Sequence, residues 1–414
     1  MIEKVDPILA ESGWKKIEWV RLCMPVLSAL EARFEKEKPL AGLRVSVSVH
    51  LDAKTANLCL LLRTAGAEVA VTGCNPLSTQ DDVAHALAAR GFRVAARHGA
   101  SMEEYHEHLC ETLSIRPHVM VDDGGDFTAI LHGEHPEYAE CLIGGCEETT
   151  TGIRRLEARE KAGALNFPMF AVNDANSKHL FDNRYGTGQS VWDAIMHMTN
   201  MVVAGKNVVV AGYGFCGKGI AMRAKGLGAR VIVTEVDPFC ALEANMDGFR
   251  VMKMDDAAPL GDIFVSATGC CDVIVGRHYD VMRDGALISN AGHFDVEANK
   301  PDLEVRAVEV CERKPGIICY RMADGRCLNL LADGRLVNLA GGNGHPAEIM
   351  DMSFGIQALC VEKMAKEGRS RENKLYDVPP EIDREEARLK VEAEGLGLDV
   401  LTPEQEAYLA GYEG

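Results

Sequence analysis

The chain has 414 residues, 47% of them hydrophobic and 26% charged, a composition typical of a globular protein with room for two domains. Its net charge of −18 argues against sequence-independent binding to nucleic acid, which requires a basic surface. We expect no membrane span and no secretory signal, because the apolar runs are short and the first residues, MIEKVDPILAESGWKK, lack the signal pattern. Fourteen scattered cysteines without a CxxC pair favour reduced thiols in the cytoplasm over disulfides or a structural metal site.

From about residue 40, short β-rich runs alternate with helical stretches, the pattern of a parallel sheet with crossover helices. A helix is predicted over 55–66, where TANLCLLLRTAG ends at Gly66. A second helix is predicted to begin near Ser78, because Asp81 three residues later would complete a capping box. Strands are predicted over 43–50, 67–73, 92–97, 118–123 and 168–174.

A second alternating series begins near residue 205, with a predicted helix over 221–228. After residue 345, the stretch EIMDMSFGIQALCVEKMAKEG is predicted to be a helix that crosses back to the first unit. Predicted strands of this second series occupy 207–214, 230–237, 262–269 and 285–292.

The segment VVVAGYGFCGKG contains a G-x-G-x-x-G motif made by Gly212, Gly214 and Gly217. It directly follows a predicted strand and opens a helix, the context in which the motif cradles a dinucleotide pyrophosphate. Glu235 ends the next strand, where its carboxylate suits the ribose diol of NAD and would repel the 2′-phosphate of NADP. We therefore expect NAD as cofactor, with a glycine-rich turn that binds nothing as the alternative.

The fold class that follows is α/β, with two doubly wound domains and a short helical C-terminal tail. The first domain is expected to comprise 1–185 and 346–378 and to bind substrate. Residues 186–345 are expected to form the NAD-binding Rossmann domain, and 379–414 a tail at a subunit interface.

Polar residues follow the predicted strands of the first domain, and in open α/β sheets ligands bind at that end of the strands. Each has a structural explanation by itself: Asp123 could be a turn residue and Thr149 a helix cap. Their common location favours a site over coincidence. The residues that follow the strands are His50, Asp122, Asp123, Asp126, Asn173 and Asp174, and between these lie Glu147, Glu148, Lys178, Asp182 and Asn183.

Several long motifs run along nearly the whole chain. They are DDGGD (122–126), EETTTG (147–152), FDNRYG (181–186), AGYGFCGKG (211–219), GHFDVE (292–297) and RLVNL followed by GHP (335–346). In order and spacing, these motifs resemble the S-adenosyl-L-homocysteine hydrolase family. The resemblance implies oxidation of the substrate's ribose 3′-carbon by bound NAD, elimination of L-homocysteine, addition of water and re-reduction.

The resemblance also implies roles for individual residues. Lys178 and Asp182 would act at the 3′-hydroxyl, with the pKa of Lys178 lowered enough for it to serve as a base. His50 and Asp123 would act near C4′ and C5′, and His293 would close the reacting face. Substrate is expected to contact Asp52, Lys54, Cys74, Asp126, Glu148, Asn173, His345 and Phe354. NAD is expected to contact Thr149, Thr150, Thr151, Asn183, Gly212, Gly214, Phe215, Cys216, Gly217, Glu235, Ala291, Gly292, His293, Asn338 and His345.

The chain departs from the family pattern at its end, which lacks the common extension that gives a lysine and a tyrosine to a neighbouring subunit's NAD. Tyr412 is at best a partial substitute, and we expect weaker retention of NAD in a homotetramer. Thr187 stands in place of a common cysteine, and Cys240 in place of an asparagine near the adenosine ribose of NAD.

A further departure bears on the purine base. Common members read His-x-Thr-x-Glu/Gln where this chain reads His50-Leu51-Asp52-Ala53-Lys54. A carboxylate only accepts hydrogen bonds and an ammonium only donates them, which suits N1–H and O6 of hypoxanthine. We therefore expect S-inosyl-L-homocysteine as substrate, with S-adenosyl-L-homocysteine as the alternative. In the competing interpretation, Asp52 only caps a helix and Lys54 is solvated.

Two other classes of protein remain as alternatives. An ordinary NAD-dependent dehydrogenase would explain the glycine motif but not Lys178 with Asp182 or the EETTTG segment. A hydrolase-like regulatory binding protein would be expected to carry an added disordered segment and altered site residues, which this sequence does not show.

Overall fold

A computed structural model of the protein describes residues 1–2 and 4–411, so that Tyr412 lies outside the described residues. The strands are β1 (Arg44–Ser48), β2 (Glu68–Thr72), β3 (Arg93–Val94), β4 (Val119–Asp122), β5 (Gly144–Glu147), β6 (Met169–Ala171), β7 (Asn207–Ala211), β8 (Arg230–Thr234), β9 (Arg250–Val251), β10 (Ile263–Ser266), β11 (Leu287–Asn290), β12 (Ala307–Lys314), β13 (Ile317–Met322), β14 (Cys327–Leu331) and β15 (Leu375–Asp377).

Helices flank both faces of the sheets that these strands form. They are α1 (Pro7–Arg21), α2 (Pro25–Glu37), α3 (Ala53–Thr64), α4 (Asp81–Ala88), α5 (Met102–Leu113), α6 (Asp126–His132), α7 (Thr150–Lys161), α8 (Asn176–Lys178), α9 (Thr187–Thr199), α10 (Phe215–Gly226), α11 (Pro238–Met246), α12 (Met254–Ala257), α13 (Gly276–Tyr279), α14 (Lys300–Arg306), α15 (Val337–Ala340), α16 (Ala347–Glu367), α17 (Pro380–Ala393) and α18 (Pro403–Ala410). Short 3₁₀ turns occupy Pro136–Ala139, Val172–Asp174, Ala332–Gly334 and Gly368–Ser370, and a π-helical segment occupies His179–Gly186.

The first sheet has seven strands in the order β15-β6-β5-β4-β1-β2-β3, and all of its pairings are parallel. The second has eight strands in the order β12-β13-β14-β11-β10-β7-β8-β9. The strand order changes direction between β4 and β1 in the first sheet and between β10 and β7 in the second, as in doubly wound folds. Central strands such as Val119–Asp122 and Ile263–Ser266 are buried along their length, because helices cover both faces. The predicted α/β fold class is therefore confirmed.

Not every predicted element has its expected form. Ser78 does not cap a helix: α4 begins at Asp81 after Gln80, and the Ser78 hydroxyl bonds instead to His50 and to the Asn75 carbonyl. Strands β5, β9, β12, β13, β14 and β15 were not predicted. Of these, β12 and β13 pair antiparallel and extend the second sheet to its edge. β15 joins the first sheet beside β6 after the chain has returned.

Two long helical stretches connect the sheets. The chain leaves the first sheet through α8, the π-helical segment and α9, which follow one another without interruption from Asn176 to Thr199. It returns through α16, which packs against β4 and β5 of the first sheet, as predicted. α17 packs in turn on α16 and α2. None of the described helices is long and apolar enough to span a membrane.

The stretch from Asn176 to Thr199, by which the chain leaves the first sheet, is called the outgoing stretch below. Its close packing against α10 leads to a prediction about stability. A Cβ at Gly219 would lie 1.7 Å from the Arg184 carbonyl oxygen, and backbone cannot easily yield. We expect Gly219→Ala to lower the free energy of unfolding by about 1–3 kcal/mol, the usual cost of overpacking. Urea titrations followed by circular dichroism would measure it.

Gly226→Ala is the matched control, because it lies in the same helix and a Cβ there would meet no atom within 4 Å. Its effect should be neutral or stabilising by up to about 1 kcal/mol, the helix preference of alanine over glycine. Equal destabilisation by both variants would contradict the packing argument.

Candidate functional site

The carboxyl ends of five neighbouring strands bring polar side chains to one edge of the first sheet. The residues follow β6, β5, β4, β1 and β2 within two positions, and these strands are consecutive across the sheet. Side chains far apart in sequence are therefore adjacent in space. In that spatial order they are Asn173, Glu148, Asp123, His50 and Cys74.

A cavity of about 350 Å³ lies between this edge and the strand ends of the second sheet. The predicted residues that line it are His50, Asp52, Lys54, Asp123, Glu148, Thr149, Thr150, Thr151, Asn173, Lys178, Asp182, Asn183, Gly214, Phe215, Cys216, Ala291, Gly292, His293, Asn338, His345 and Phe354.

Five of the residues expected to contact substrate or NAD lie outside this lining. Cys74 donates a hydrogen bond to Asp123 but does not itself line the cavity. Asp126 begins α6, where its carboxylate accepts hydrogen bonds from Tyr105 and Arg155. Gly212, Gly217 and Glu235 belong to the glycine turn and to the strand end beside it.

Glu148, Asn173, Lys178, Asp182 and Asn183 form a polar wall of the cavity. Lys178 lies at its centre and is 4% exposed. Its Nζ is 3.0 Å from Asp182 Oδ2 and 3.4 Å from Glu148 Oε1. It also donates to the side-chain oxygens of Asn173, at 3.3 Å, and Asn183, at 3.0 Å. The buried ammonium is therefore surrounded by acceptors, which a buried charge requires.

The expected lowering of the Lys178 pKa is not found. Burial disfavours its ammonium, but the carboxylates of Asp182 and Glu148 outweigh burial and raise the pKa of Lys178. Although burial favours the neutral acid of Asp182, Lys178 and His345 hold the pKa of that carboxyl well below its usual range. Burial raises the pKa of Glu148 to about 7 despite the nearby ammonium.

Asp182 joins the outgoing and returning connections. One carboxylate oxygen is hydrogen-bonded to His345 Nδ1, and the other accepts from Ser353 Oγ at 2.8 Å. His345 Nε2 lies 3.2 Å from Thr187 Oγ1, so the residue that replaces the common cysteine also contacts the site. The loop before α16 is thus tied to the stretch that carries Lys178.

Sequence reasoning missed the residues of α16 that support this wall. Gln357 Nε2 donates to Glu148 Oε2 at 2.5 Å, and Ser353 contacts Asp182. Both side chains are fully buried and lie four positions apart on one face of α16, within an apolar segment of that helix. That spacing of polar residues within SFGIQALC was the available signal.

Asp383 of α17 supports the same wall from outside the cavity. Its carboxylate accepts from the backbone N–H groups of Asn176 and Ser177, each at 2.9 Å. The Ser177 hydroxyl and the Asn176 amide also donate to it. The start of the helix that carries Lys178 is therefore held by the C-terminal part of the chain.

His50 has a defined tautomer. Ser78 Oγ lies 2.6 Å from His50 Nδ1 and donates its own hydrogen to the Asn75 carbonyl oxygen at 3.0 Å. Ser78 must therefore accept from Nδ1–H, which leaves the lone pair of Nε2 facing Asp123, 3.7 Å away. Burial lowers the pKa of His50, which favours this neutral form.

In the segment after β1, Asp52 caps a helix and also lines the cavity, so its role as a cap does not exclude a contact with substrate. Its Oδ1 caps α3 by accepting from the N–H groups of Lys54 and Thr55, at 2.8 and 3.1 Å. Lys54 is not solvated: it is 8% exposed, and its Nζ lies 2.7 Å from both Asp52 Oδ2 and the Asn343 carbonyl oxygen. Both side chains line the cavity.

The glycine turn after β7 has the form that a dinucleotide needs. Gly212 has φ +95°, and a Cβ there would lie 2.7 Å from the Ala267 carbonyl oxygen. A Cβ at Gly217 would lie 2.0 Å from the Gly212 carbonyl oxygen, so this residue allows α10 to pack on the turn. At Gly214 a Cβ would meet no atom within 4 Å, so its face is open to a ligand. The first N–H groups of α10, which have no intrahelical partner, point in the same direction.

Other groups around the turn fit the rest of a dinucleotide. Glu235 follows β8, and its carboxylate accepts from Tyr213 N and Asp237 N, which fixes it beside the turn. Asn338 Oδ1 is buried at the cavity wall and has no hydrogen-bond partner among the described residues. Thr149 caps α7 and also lines the cavity, so its two predicted roles are compatible. These residues fit a bound NAD.

Two family models match the chain. One, described as S-adenosyl-L-homocysteine hydrolase, covers residues 3–138, and the other, described as its NAD-binding domain, covers residues 183–344. The chain is 55% identical over 409 residues to the S-inosyl-L-homocysteine hydrolase of Methanopyrus kandleri, covering 99% of this chain and 96% of that one. This chain belongs to the S-adenosyl-L-homocysteine hydrolase family.

Relatives at the same level of identity carry two different names within this hydrolase family. The adenosylhomocysteinase of Thermococcus kodakarensis is 55% identical over 409 residues, covering 99% of this chain and 97% of that one. The S-inosyl-L-homocysteine hydrolase of Methanosarcina acetivorans is 54% identical over 406 residues, covering 98% of each. The protein is therefore a hydrolase of this family with NAD as its cofactor, and identity alone does not select the purine.

The raised pKa of Glu148 predicts a pH-dependent contribution to stability. Because the folded state holds the Glu148 proton up to about pH 7, its contribution to stability falls as the pH rises from 5 to 7. Glu148→Gln removes this titration and keeps a partner for Gln357. We expect the variant to gain up to about 3 kcal/mol relative to wild type between pH 5 and 8, at 1.36 kcal/mol per pKa unit. Urea unfolding at both pH values measures the difference.

Glu157→Gln, on the exposed face of α7, controls for the loss of one carboxylate. The difference in free energy of unfolding between Glu157→Gln and wild type should stay constant from pH 5 to 8. A difference between wild type and Glu148→Gln that stays constant from pH 5 to 8 would show that Glu148 does not titrate in this range.

Proposed function

We propose that this protein catalyses the reversible, NAD-dependent hydrolysis of S-inosyl-L-homocysteine to inosine and L-homocysteine. The observation that carries the choice of base is the buried Asp52–Lys54 pair, which lines the same cavity as Lys178. The family establishes the class of chemistry, and these two side chains support the choice of substrate within it.

The donors and acceptors of the pair complement hypoxanthine. Asp52 Oδ1 is used by the helix cap, whereas Oδ2 has a lone pair left for N1–H of the base. Lys54 donates to Asp52 and Asn343, and its third N–H is left for O6. With adenine in the same orientation, an acceptor would face N1 and a donor would face the N6 amino group. Such unpaired buried groups cost about 1–3 kcal/mol.

S-Adenosyl-L-homocysteine is the second candidate, because relatives with that named activity are equally similar. It would fit if the base turned so that Lys54 donated to N1 and Asp52 accepted from N6. The Asn343 carbonyl and the Asp52 cap restrict both side chains, which argues against such a rearrangement.

At the ribose, Lys178 and Glu148 would handle the proton of the 3′-hydroxyl. Bound NAD would supply reversible oxidation at the adjacent carbon. Lys178 Nζ and Glu148 Oε1 are 3.4 Å apart, and the pKa of Glu148 is about 7, which suits a group that takes up and returns a proton near neutral pH. Asp182 holds Lys178 in place from its other side.

His50 and Asp123 would serve the elimination and hydration steps. The neutral His50 presents Nε2 as an acceptor, so it can take up the proton released at C4′, pass it to the leaving thiolate, and then accept a proton from the attacking water. Asp123 Oδ1 is buried without a partner in the described part of the chain and lies 4.0 Å from His293 Nδ1. His293 comes from the second sheet, so both sheets contribute to this face.

The choice of purine predicts a measurable preference. Purified enzyme should show a kcat/KM for S-inosyl-L-homocysteine about 10- to 100-fold above that for S-adenosyl-L-homocysteine, as expected from 1–3 kcal/mol. The double variant Asp52→Thr/Lys54→Gln should reverse the preference, since threonine keeps the helix cap and glutamine accepts from N6. A wild-type preference for the adenosyl compound would refute the inosyl assignment and leave the family chemistry intact.

The role of Lys178 is tested separately. Lys178→Ala should lower kcat about 10²- to 10⁴-fold, the usual range for a lost acid–base group, while NAD remains bound. Lys161→Ala, exposed on α7, is the matched control and should keep wild-type turnover. Net NADH formation in proportion to substrate by the wild-type enzyme would instead indicate an ordinary dehydrogenase.

A further inference from the structure

Three potential metal-ligating atoms converge at one end of the cavity. His50 Nε2, Cys74 Sγ and a carboxylate oxygen of Asp123 all lie within 4.8 Å of one another. Within residues 1–2 and 4–411, no other group of three or more His, Cys, Asp or Glu side chains brings its ligand atoms this close. The residues follow three different strands, β1, β2 and β4, so no short ligand motif marks them in the sequence.

His50 is prepared as a ligand by its hydrogen bonds. Because Nδ1–H donates to Ser78 Oγ, the lone pair of Nε2 points toward Asp123 and Cys74. Histidine ligands in metal sites are fixed in this way, with the second ring nitrogen donating to a neighbouring oxygen. Ser78 therefore has the function of an outer-sphere partner.

Cys74 and Asp123 complete the set. Cys74 Sγ lies 3.0 Å from Asp123 Oδ2 and donates its thiol hydrogen to it. Both residues are buried, and Asp123 Oδ1 has no hydrogen-bond partner within the described chain. A cation here would satisfy that oxygen and would compensate the repulsion between a thiolate and the carboxylate.

The types of atom select the class of ion. One imidazole nitrogen, one sulfur and one carboxylate oxygen form a set typical of Zn²⁺ and similar borderline-soft cations. Mg²⁺ and Ca²⁺ prefer oxygen ligands alone. His50 and Asp123 also line the cavity, so a fourth position would face the space in which substrate is expected.

We propose that His50, Cys74 and Asp123 form a binding site for a zinc-class divalent cation, and that the bound cation inhibits the enzyme. On binding, the Cys74 S–H bond breaks, a sulfur–metal bond forms and the proton leaves to solvent, without any change of oxidation state. The inhibition rests on the proposed function, because the ion occupies the Nε2 lone pair and the carboxylate that the hydrolysis requires. Cation binding itself does not depend on that function.

Cobalt(II) is a suitable probe, because it replaces zinc and gives a thiolate-to-metal charge-transfer band. Titration of the NAD-bound wild-type enzyme should give this band with one cobalt per chain. Cys74→Ser keeps a hydroxyl donor to Asp123 and should abolish the band and weaken cobalt binding at least tenfold. The double variant Cys270→Ser/Cys271→Ser removes the adjacent, exposed thiols and should leave the band unchanged.

Three outcomes would overturn the site: no charge-transfer band in wild type, an unchanged band in Cys74→Ser, or loss of the band in Cys270→Ser/Cys271→Ser. Circular dichroism of each variant confirms that a lost band does not reflect unfolding. Ser78→Ala should weaken cobalt binding about 10- to 100-fold while retaining the band, the usual effect of removing an outer-sphere partner.

Inhibition is measured with Zn²⁺ itself. Zinc should inhibit thioether hydrolysis by wild-type enzyme, a chelator should reverse the inhibition, and Cys74→Ser should require at least tenfold more zinc for half-inhibition of its own rate. Cobalt binding without any hydrolase activity would preserve the metal site and refute the proposed function. Hydrolysis without a cobalt band would support the proposed function and refute the metal site.

Discussion

The buried ammonium of Lys178 is the constraint on which the site depends. An unpaired charge at this depth would cost several kcal/mol, so the fold must surround it with acceptors. Asp182 and Glu148 supply the compensating charge, and each in turn needs further donors. Ser353 and Gln357 of α16 provide two of them: Ser353 donates to the Asp182 oxygen that Lys178 also contacts, and Gln357 donates to the second oxygen of Glu148. The returning helix is therefore fixed by the electrostatics of a residue on the outgoing stretch as well as by its apolar packing.

The π-helical segment explains how one lysine reaches so many partners. Thr187 N donates to the Asp182 carbonyl, an i→i−5 bond that widens the turn. A turn of this width spans between four and five residues, so Asp182 and Asn183 both lie above Lys178 and both contact its Nζ. In a regular α-helix the residue at i+5 would have rotated away. The unusual backbone thus contributes directly to the polar wall.

Much of the fold could be predicted, because the central strands are short apolar runs that end in polar residues or glycine. The same pattern located His50, Asp123 and Asn173 at one sheet edge, where the cavity lies. Local patterns could not reveal contacts made across the fold. Ser78 follows the rule for a helix cap but bonds to His50, and the pKa of Lys178 is raised by Asp182 together with a carboxylate 30 positions earlier. The edge strand β12 was missed because it carries polar residues along its exposed length.

In the proposed function, Asp52 serves both the fold and the choice of substrate. Its first oxygen caps α3, a contribution of about 1 kcal/mol that serine, threonine or asparagine could also supply. Its second oxygen binds Lys54, which in turn is anchored by the Asn343 carbonyl on the returning connection. The cap therefore restricts position 52 to a few residue types, and under the proposed function the choice among them sets the polarity presented to the purine. Because these types all preserve the helix start, the proposal implies that the base preference can change without loss of the fold, provided that position 54 changes with it.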